Sequence, residues 1–151
     1  MKGMKGVKQT KHIRPFAGLI LLLALVLLGN GCANKFFYHP EAGWAPTPDQ
    51  RGLSYVPMTF PSLDGTELSA WWLPAVGEAK GTVVHFHGNA QNMSTHVRFA
   101  EWLPAAGYNL MVFDYRGYGK SKGKPGRKGI ALDAAAALRH AAARNDVEPG
   151  T

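Results

Sequence analysis

Two short stretches carry residue types and spacings that could do chemistry. His87-Gly88-Asn89-Ala90 directly follows the β-branched run Gly81 to Phe86. A strand that ends in a tight glycine turn can aim backbone N–H groups into a cleft above a sheet. Preorganised donors of that kind stabilise the negative charge that builds on a carbonyl oxygen during acyl transfer. The same Gly88-Asn89 pair also suits a plain turn at positive φ. The second stretch is Asp114-Tyr115-Arg116-Gly117-Tyr118-Gly119-Lys120-Ser121, directly after the apolar run that starts at Asn109. There Asp114 and Arg116 can tie a loop to its neighbours, while Gly117 and Gly119 permit its sharp path.

Three further patterns suggest chemistry that their context does not support. Gly119-Lys120-Ser121-Lys122-Gly123 spells G-x-S-x-G, yet a nucleophilic serine of that type sits at the junction of a buried strand and a helix. Ser121 lies six residues beyond the strand, and Lys-Gly-Lys-Pro-Gly after it cannot open a helix. Gly119-Lys120-Ser121 also mimics the end of a phosphate-binding loop, but Asp114 stands where that loop needs its first glycine, and its carboxylate would repel a phosphate. His85 and His87 flank Phe86 and share one strand face. No acid or sulfur ligand stands at a suitable spacing, so they are expected to be hydrogen-bonded packing residues rather than metal ligands.

The elements that must position these stretches alternate in type. Leu53 to Phe60 and Thr66 to Leu73 read as strands closed by Pro61 and Pro74, joined at Asp64-Gly65 and therefore antiparallel. Gly81 to Phe86 and Asn109 to Tyr115 are short continuous apolar runs that suit strands buried on both faces. Between them Met93 to Ala106 reads as a helix with Phe99, Trp102, Leu103 and Ala106 on one face. Gly107 sits at its C-cap and Pro104 is a discord in its last turn. Ile130 to Arg144 reads as an Ala-rich helix with Ile130, Ala134, Ala137, Leu138 and Ala141 facing inward. The order strand, helix, strand, helix argues an α/β fold with a parallel sheet.

Charge and hydropathy divide the chain unevenly. The net charge is +7, but Lys2, Lys5, Lys8, Lys11 and Arg14 precede Cys32 with no acid among them. Twelve basic and ten acidic residues follow, which leaves the body at +2. Its one basic cluster, Lys120 to Lys128, lies in a Gly/Pro-rich loop without aromatic interleaving, so nucleic acid is not an expected partner. Phe16 to Leu28 is uninterruptedly apolar, about 20 Å of helix, and falls short of a bilayer core of roughly 30 Å. A basic n-region, a short apolar core and small residues before Cys32 have the layout of a signal sequence. The ending Leu28-Gly29-Asn30-Gly31-Cys32 resembles the lipobox of bacterial lipoproteins, with Gly29 where that family usually has Leu. The resemblance implies lipid attachment at Cys32, while an uncleaved anchor and a plain secretory signal are the other readings. The first two place the body on the non-cytoplasmic side of a membrane. Residues 1–31 are thus expected to be signal peptide or anchor, 32–50 a tether and 51–151 the folded domain. Phe36, Phe37 and Tyr38 are assigned to the start of the core, with a place at the membrane interface as the other reading.

The two glycine stretches, each after a strand, are similar to those of the α/β-hydrolase superfamily. They most resemble its lipoprotein and membrane-anchored serine hydrolases, akin to esterases and serine aminopeptidases, over about residues 51–150. The resemblance implies the α/β-hydrolase fold with strands ordered 1-2-4-3. It implies backbone donors at Asn89 or Ala90 for an oxyanion, and architectural roles for His87, Gly88, Asp114, Arg116, Gly117 and Gly119. The implied substrate is a small-molecule or peptide-like ester, thioester or amide, and no cofactor or metal is expected. In that family the nucleophile, acid and histidine all follow the second crossover helix, so no member of the triad is expected in this chain. The expectation is therefore the N-terminal portion of a membrane-tethered hydrolase, truncated before the nucleophile and inactive by itself, with the strand at 82–86 left as an open edge that favours aggregation. A non-catalytic α/β module or a remnant at the membrane is the alternative.

Overall fold

The computed structural model describes residues 34, 36–41 and 43–144. The basic and apolar segment through Ala33, including Cys32, and the end of the chain from Asn145 lie outside the described residues. Among the described residues no helix is long and apolar enough to cross a membrane.

Strands β2 (Val56–Pro61) and β3 (Glu67–Leu73) form the antiparallel hairpin that the Asp64-Gly65 signal predicts, with Phe60 opposite Leu68. Gly65 turns at φ +84°, and the Ser62 N–H donates to the Thr66 carbonyl to close the turn. Strand β3 continues antiparallel into β6 (Asn109–Phe113), and β6 pairs in parallel with β4 (Thr82–His85). The sheet order is β2-β3-β6-β4, the 1-2-4-3 arrangement expected from the sequence. A second, two-residue parallel pair joins β1 (His39–Pro40) to β5 (Ala90–Gln91).

Alternation along β3 and β6 sends side chains to two cores. On one face Phe60, Leu68, Ala70, Trp72, Met111 and Phe113 pack against helix α2 (Arg127–Ala142) through Ala136, Ala137 and Ala141. On the other, Trp71, Leu73, Leu110 and Val112 pack against Met93 and Val97 of helix α1 (Met93–His96) and the 3-10 turn Val97–Phe99. Each fully buried Leu, Met or Val contributes about 1.5–3 kcal/mol, so these two layers hold the sheet that carries both glycine stretches.

Several elements differ from the sequence expectation. The helix expected over 93–106 gives way to a 3-10 turn at Val97 and to irregular turns after Phe99. Its buried face is Met93, Val97 and Ala100, and Trp102 is 62% exposed. Pro104 has no N–H to continue a helix, while its carbonyl accepts from the Val76 and Gly107 N–H groups. Gly107 does adopt positive φ, but it closes this turn rather than capping a helix. On α2 the inward face is Asp133, Ala136, Ala137 and Ala141, whereas Leu138 is 53% exposed. Strand β4 is half-buried along its length rather than buried on both faces, because only β6 pairs with it among the described residues. Phe36 and Phe37 are 76% and 59% exposed and take no part in either core. The segment read as a tether is instead bound to the domain: Trp44 packs on the second core, its ring 5.2 Å from that of Trp71.

Candidate functional site

Parallel pairing places the ends of β4 and β6 at the same end of the sheet, with His85 in register with Val112. The two glycine stretches therefore meet. The buried His87 ring approaches both residues that follow β6: Nε2 accepts from the Tyr115 N–H at 3.4 Å and stands 3.6 Å from Asp114 Oδ1. Its Nδ1 lies 2.6 Å from the Gly88 carbonyl oxygen, so the partners assign the proton to Nδ1. Burial, with His96 and His85 nearby, holds the His87 imidazole down at about 4. Burial pushes the Asp114 carboxyl up to about 7, against the Met93 amide that donates to it at 2.7 Å. Both shifts favour the uncharged forms, so the close approach of the two rests on packing rather than on an ion pair. His85 departs from the expectation of a hydrogen-bonded packing residue: its Nε2 is buried without a partner among the described residues.

The loop between β4 and α1 is held from its carbonyl side. Gly88 O faces His87 Nδ1, and Asn89 O accepts from both the His39 N–H and the Tyr118 hydroxyl, each at 2.8 Å. Within the described residues no hydrogen bond is made by the Gly88 or Asn89 N–H. A peptide N–H points away from its carbonyl in the trans plane, so the pinned Gly88 and Asn89 carbonyls fix the directions of the Asn89 and Ala90 N–H groups. Gln91 then adopts φ +64°, the only positive φ of a non-glycine residue among those described. Such a conformation costs on the order of 1–3 kcal/mol and persists where its surroundings hold it. Asn92 caps α1 by accepting from the Ser94 N–H at 3.0 Å.

A cavity of about 160 Å³ opens beside this loop, lined by Tyr38, His87, Asn89, Tyr115, Tyr118 and Ile130. Its walls are mainly aromatic, and burial raises the Tyr115 hydroxyl to about 12, so Tyr115 remains neutral at physiological pH. Sequence reasoning found His87, Gly88 and Asn89 but missed Tyr38 and Ile130. Nothing in the spacing of either residue marks it, because each reaches the cavity from a separate part of the chain.

The second glycine stretch makes close contacts with neighbouring elements. Gly117 at φ +78° passes so close to Pro125 that a Cβ would lie 2.6 Å from its Cδ. Arg116 binds Asp133 of α2 and Asp64 of the hairpin. The inward-facing Asp133 was missed, although an acid on an alanine face with an arginine to pair it is a readable signal. Ser121 is buried, with its hydroxyl donating to the Asp114 carbonyl at 2.6 Å and accepting from the Ser69 N–H at 2.9 Å. The two bonds join the loop to Asp114 and to Ser69 of β3 and use the proton of the hydroxyl.

Comparison with known proteins points the same way. Residues 77–149 match the family model for serine aminopeptidases of the S33 type. The YfhR protein of Salmonella typhi is 38% identical over 138 residues, which cover 89% of this chain and 46% of that one. The α/β hydrolase domain-containing protein WAV2 of Arabidopsis thaliana is 35% identical, covering 87% of this chain and 43% of its own length. The chain thus spans about half the length of the curated relatives it matches. Among solved structures, the Pyrococcus furiosus esterase Pf2001 superposes with a TM-score of 0.57 at 29% identity, over 67% of this chain and 41% of the esterase. Sheet order, the paired glycine loops and these likenesses agree, and the chain is a member of the α/β-hydrolase superfamily.

Proposed function

We propose that the protein is a serine hydrolase of carboxylic esters or related acyl compounds, in which this chain supplies the oxyanion half of the site. The observation that carries the reading is the His87–Ala90 loop. It presents the Asn89 N–H, unused within the described residues, beside an aromatic cavity of about 160 Å³. Acyl transfer needs donors held in place before charge develops, because rearranging them during the reaction would forfeit their benefit. Here the carbonyls of both candidate peptides are already fixed. The cavity has room for a short acyl group, and its tyrosine and isoleucine walls favour an apolar one. The nucleophile, its base and its acid belong, by the family's chain order, to the part of the relatives' length that this chain does not span. The test is p-nitrophenyl butyrate hydrolysis by the protein expressed from its full reading frame, before and after Asn89→Pro and Ala90→Pro. Each change deletes one backbone donor, and one of the two is expected to lower kcat by about a hundredfold with circular dichroism unchanged. Full turnover in both variants would end the oxyanion reading.

The N-terminal segment supports a second part of the proposal, attachment to a membrane with the domain on its non-cytoplasmic side. Five basic residues, the apolar run 16–28 and the small residues before Cys32 are the supporting pattern. Cys32→Ser is expected to abolish incorporation of labelled palmitate and to reduce recovery in the membrane fraction. Undiminished labelling would remove Cys32 as the attachment point.

A further inference from the structure

The oxyanion loop is bound on its outer side by chain that precedes the hydrolase domain. Beyond the ladder bonding of the β1–β5 pair, six hydrogen bonds among the described residues join residues 37–45 to residues 89–94. Asn89 Nδ2 donates to the Phe37 carbonyl at 2.8 Å, and the His39 N–H donates to the Asn89 carbonyl at 2.8 Å. The Glu41 N–H donates to the Gln91 carbonyl at 3.3 Å. Asn92 Nδ2 donates to the carbonyls of Glu41 at 3.0 Å and Gly43 at 2.6 Å. The Ala45 N–H donates to Ser94 Oγ at 2.9 Å. From the inner side Tyr118, 1% exposed, donates its hydroxyl to the same Asn89 carbonyl at 2.8 Å.

We infer that Tyr118 and the strap Phe37–Ala45 are positioning elements of the active site: together they fix the Asn89–Ala90 peptide, and with it the direction of the Ala90 N–H. The inference rests on the oxyanion reading of this loop. A carbonyl oxygen has two lone pairs, and those of Asn89 are taken by His39 and Tyr118 from two different parts of the chain. The peptide is planar, so a carbonyl held at two points cannot swing its N–H out of line. This matters more here than in an ordinary turn. Gln91 at φ +64° has a more comfortable conformation available, and the strap is what opposes the relaxation. The strap directly follows the proposed membrane-attachment segment, so attachment and active-site order are joined by fewer than ten residues of chain from Cys32 to His39.

Tyr118→Phe removes the inner hydrogen bond without changing ring shape, and His39→Pro removes the outer donor. Two measurements separate this inference from the reading it rests on. The first needs no activity: the backbone 15N–1H resonance of Ala90 in the full chain. Either variant is expected to shift and broaden it while the resonances of β3 and β6 stay in place. The second is ester hydrolysis by the protein from its full reading frame. There Tyr118→Phe is expected to lower kcat about tenfold, the effect of one hydrogen bond, with KM unchanged, and Tyr118→Phe/His39→Pro is expected to lower it further. An Ala90 resonance that stays unmoved in both variants would overturn the positioning role, whatever the activity. A moved resonance with unchanged kcat would overturn its part in catalysis. If Asn89→Pro and Ala90→Pro leave turnover intact, the oxyanion reading fails separately, and the Ala90 resonance still decides whether the strap orders the loop.

Discussion

Gly119→Ala is expected to destabilise the domain by about 3–8 kcal/mol, as the sum of three separate penalties. Gly119 has φ +48°, in the left-handed region where an alanine costs roughly 1–2 kcal/mol. Its added Cβ would lie 2.0 Å from Asp114 Oδ2 and 2.7 Å from Asp114 Cγ. Neither atom can retreat cheaply, because the Asp114 side chain is fully buried and its Oδ1 holds the Met93 N–H at 2.7 Å. Overpacking of a filled site costs typically 1–3 kcal/mol. Displacing the carboxyl group would add about 1–3 kcal/mol for the buried Met93 amide left without its acceptor. Urea unfolding followed by the fluorescence of the buried Trp71 and Trp72 measures the total. Asp114→Ala alone removes the acceptor, but in the Gly119→Ala background it also removes the clash. The double variant should therefore be clearly more stable than the sum of the singles requires. Strict additivity would show that the approach of Gly119 to Asp114 is not what makes glycine necessary there.

Local rules made this contact half legible. The glycines of the second stretch announce a sharp path, and an acid followed by an arginine announces a fastened loop. Glycine spacing does not say which atom Gly119 meets, and the Met93 amide that fixes Asp114 comes from α1, across the crossover to β6. The same boundary runs through the rest of the fold. Strands β4 and β6 are readable because their apolar runs are continuous, and β3 because the Asp64-Gly65 turn and Pro74 bound it. The Phe99, Trp102, Leu103 and Ala106 stripe has helical period yet is not a helix face, since Pro104 interrupts the ladder and its carbonyl is used by Val76. On α2, hydrophobicity favours Leu138 over Asp133, but the helix turns its small residues to the sheet and carries Asp133 in with them. Leu138 is left to solvent. The strap at 37–45 was illegible for a different reason. Besides the β1–β5 ladder, four of its six bonds to the loop use its own backbone against side chains of Asn89, Asn92 or Ser94, and two join backbone to backbone. None leaves a periodic trace. Of the candidate site, the loop that carries the proposed donors was placed from sequence, whereas the cavity walls and the groups that hold that loop come from segments distant in the chain.

Arg116→Ala is expected to cost about 3–5 kcal/mol, the range for removing one partner of a buried ion pair. The Arg116 guanidinium reaches Asp133 through Nη2 at 2.7 Å and through Nε at 3.0 and 3.1 Å. It also reaches Asp64 at 2.8 Å and Ser62 Oγ at 3.1 Å. One planar fork thus joins the β2–β3 hairpin, the second glycine loop and α2. The two acids do not contribute equally. Asp64 has a side chain 39% exposed, and although Arg116 holds its carboxyl well below the usual carboxylate range, solvent screens the pair. Asp133 has no exposure at all. Without the guanidinium it keeps the Arg116 N–H at 2.9 Å and the Ser62 hydroxyl at 2.6 Å, but no positive charge, and a buried carboxylate with hydrogen bonds alone remains strongly disfavoured. Asp64→Ala should therefore cost far less than Arg116→Ala, because solvent screens the Asp64 carboxylate. Arg116→Lys is no remedy, because a single ammonium cannot span both acids and the serine in the geometry of the fork. With an m-value of about 1–3 kcal/mol per molar urea, the loss lowers the midpoint by roughly 2 M. Adding Asp133→Ala to Arg116→Ala removes the stranded charge and should restore part of the stability. If the double variant is instead as unstable as the two losses added together, the cost lies in packing, and Asp133 is not the charge that makes Arg116 indispensable.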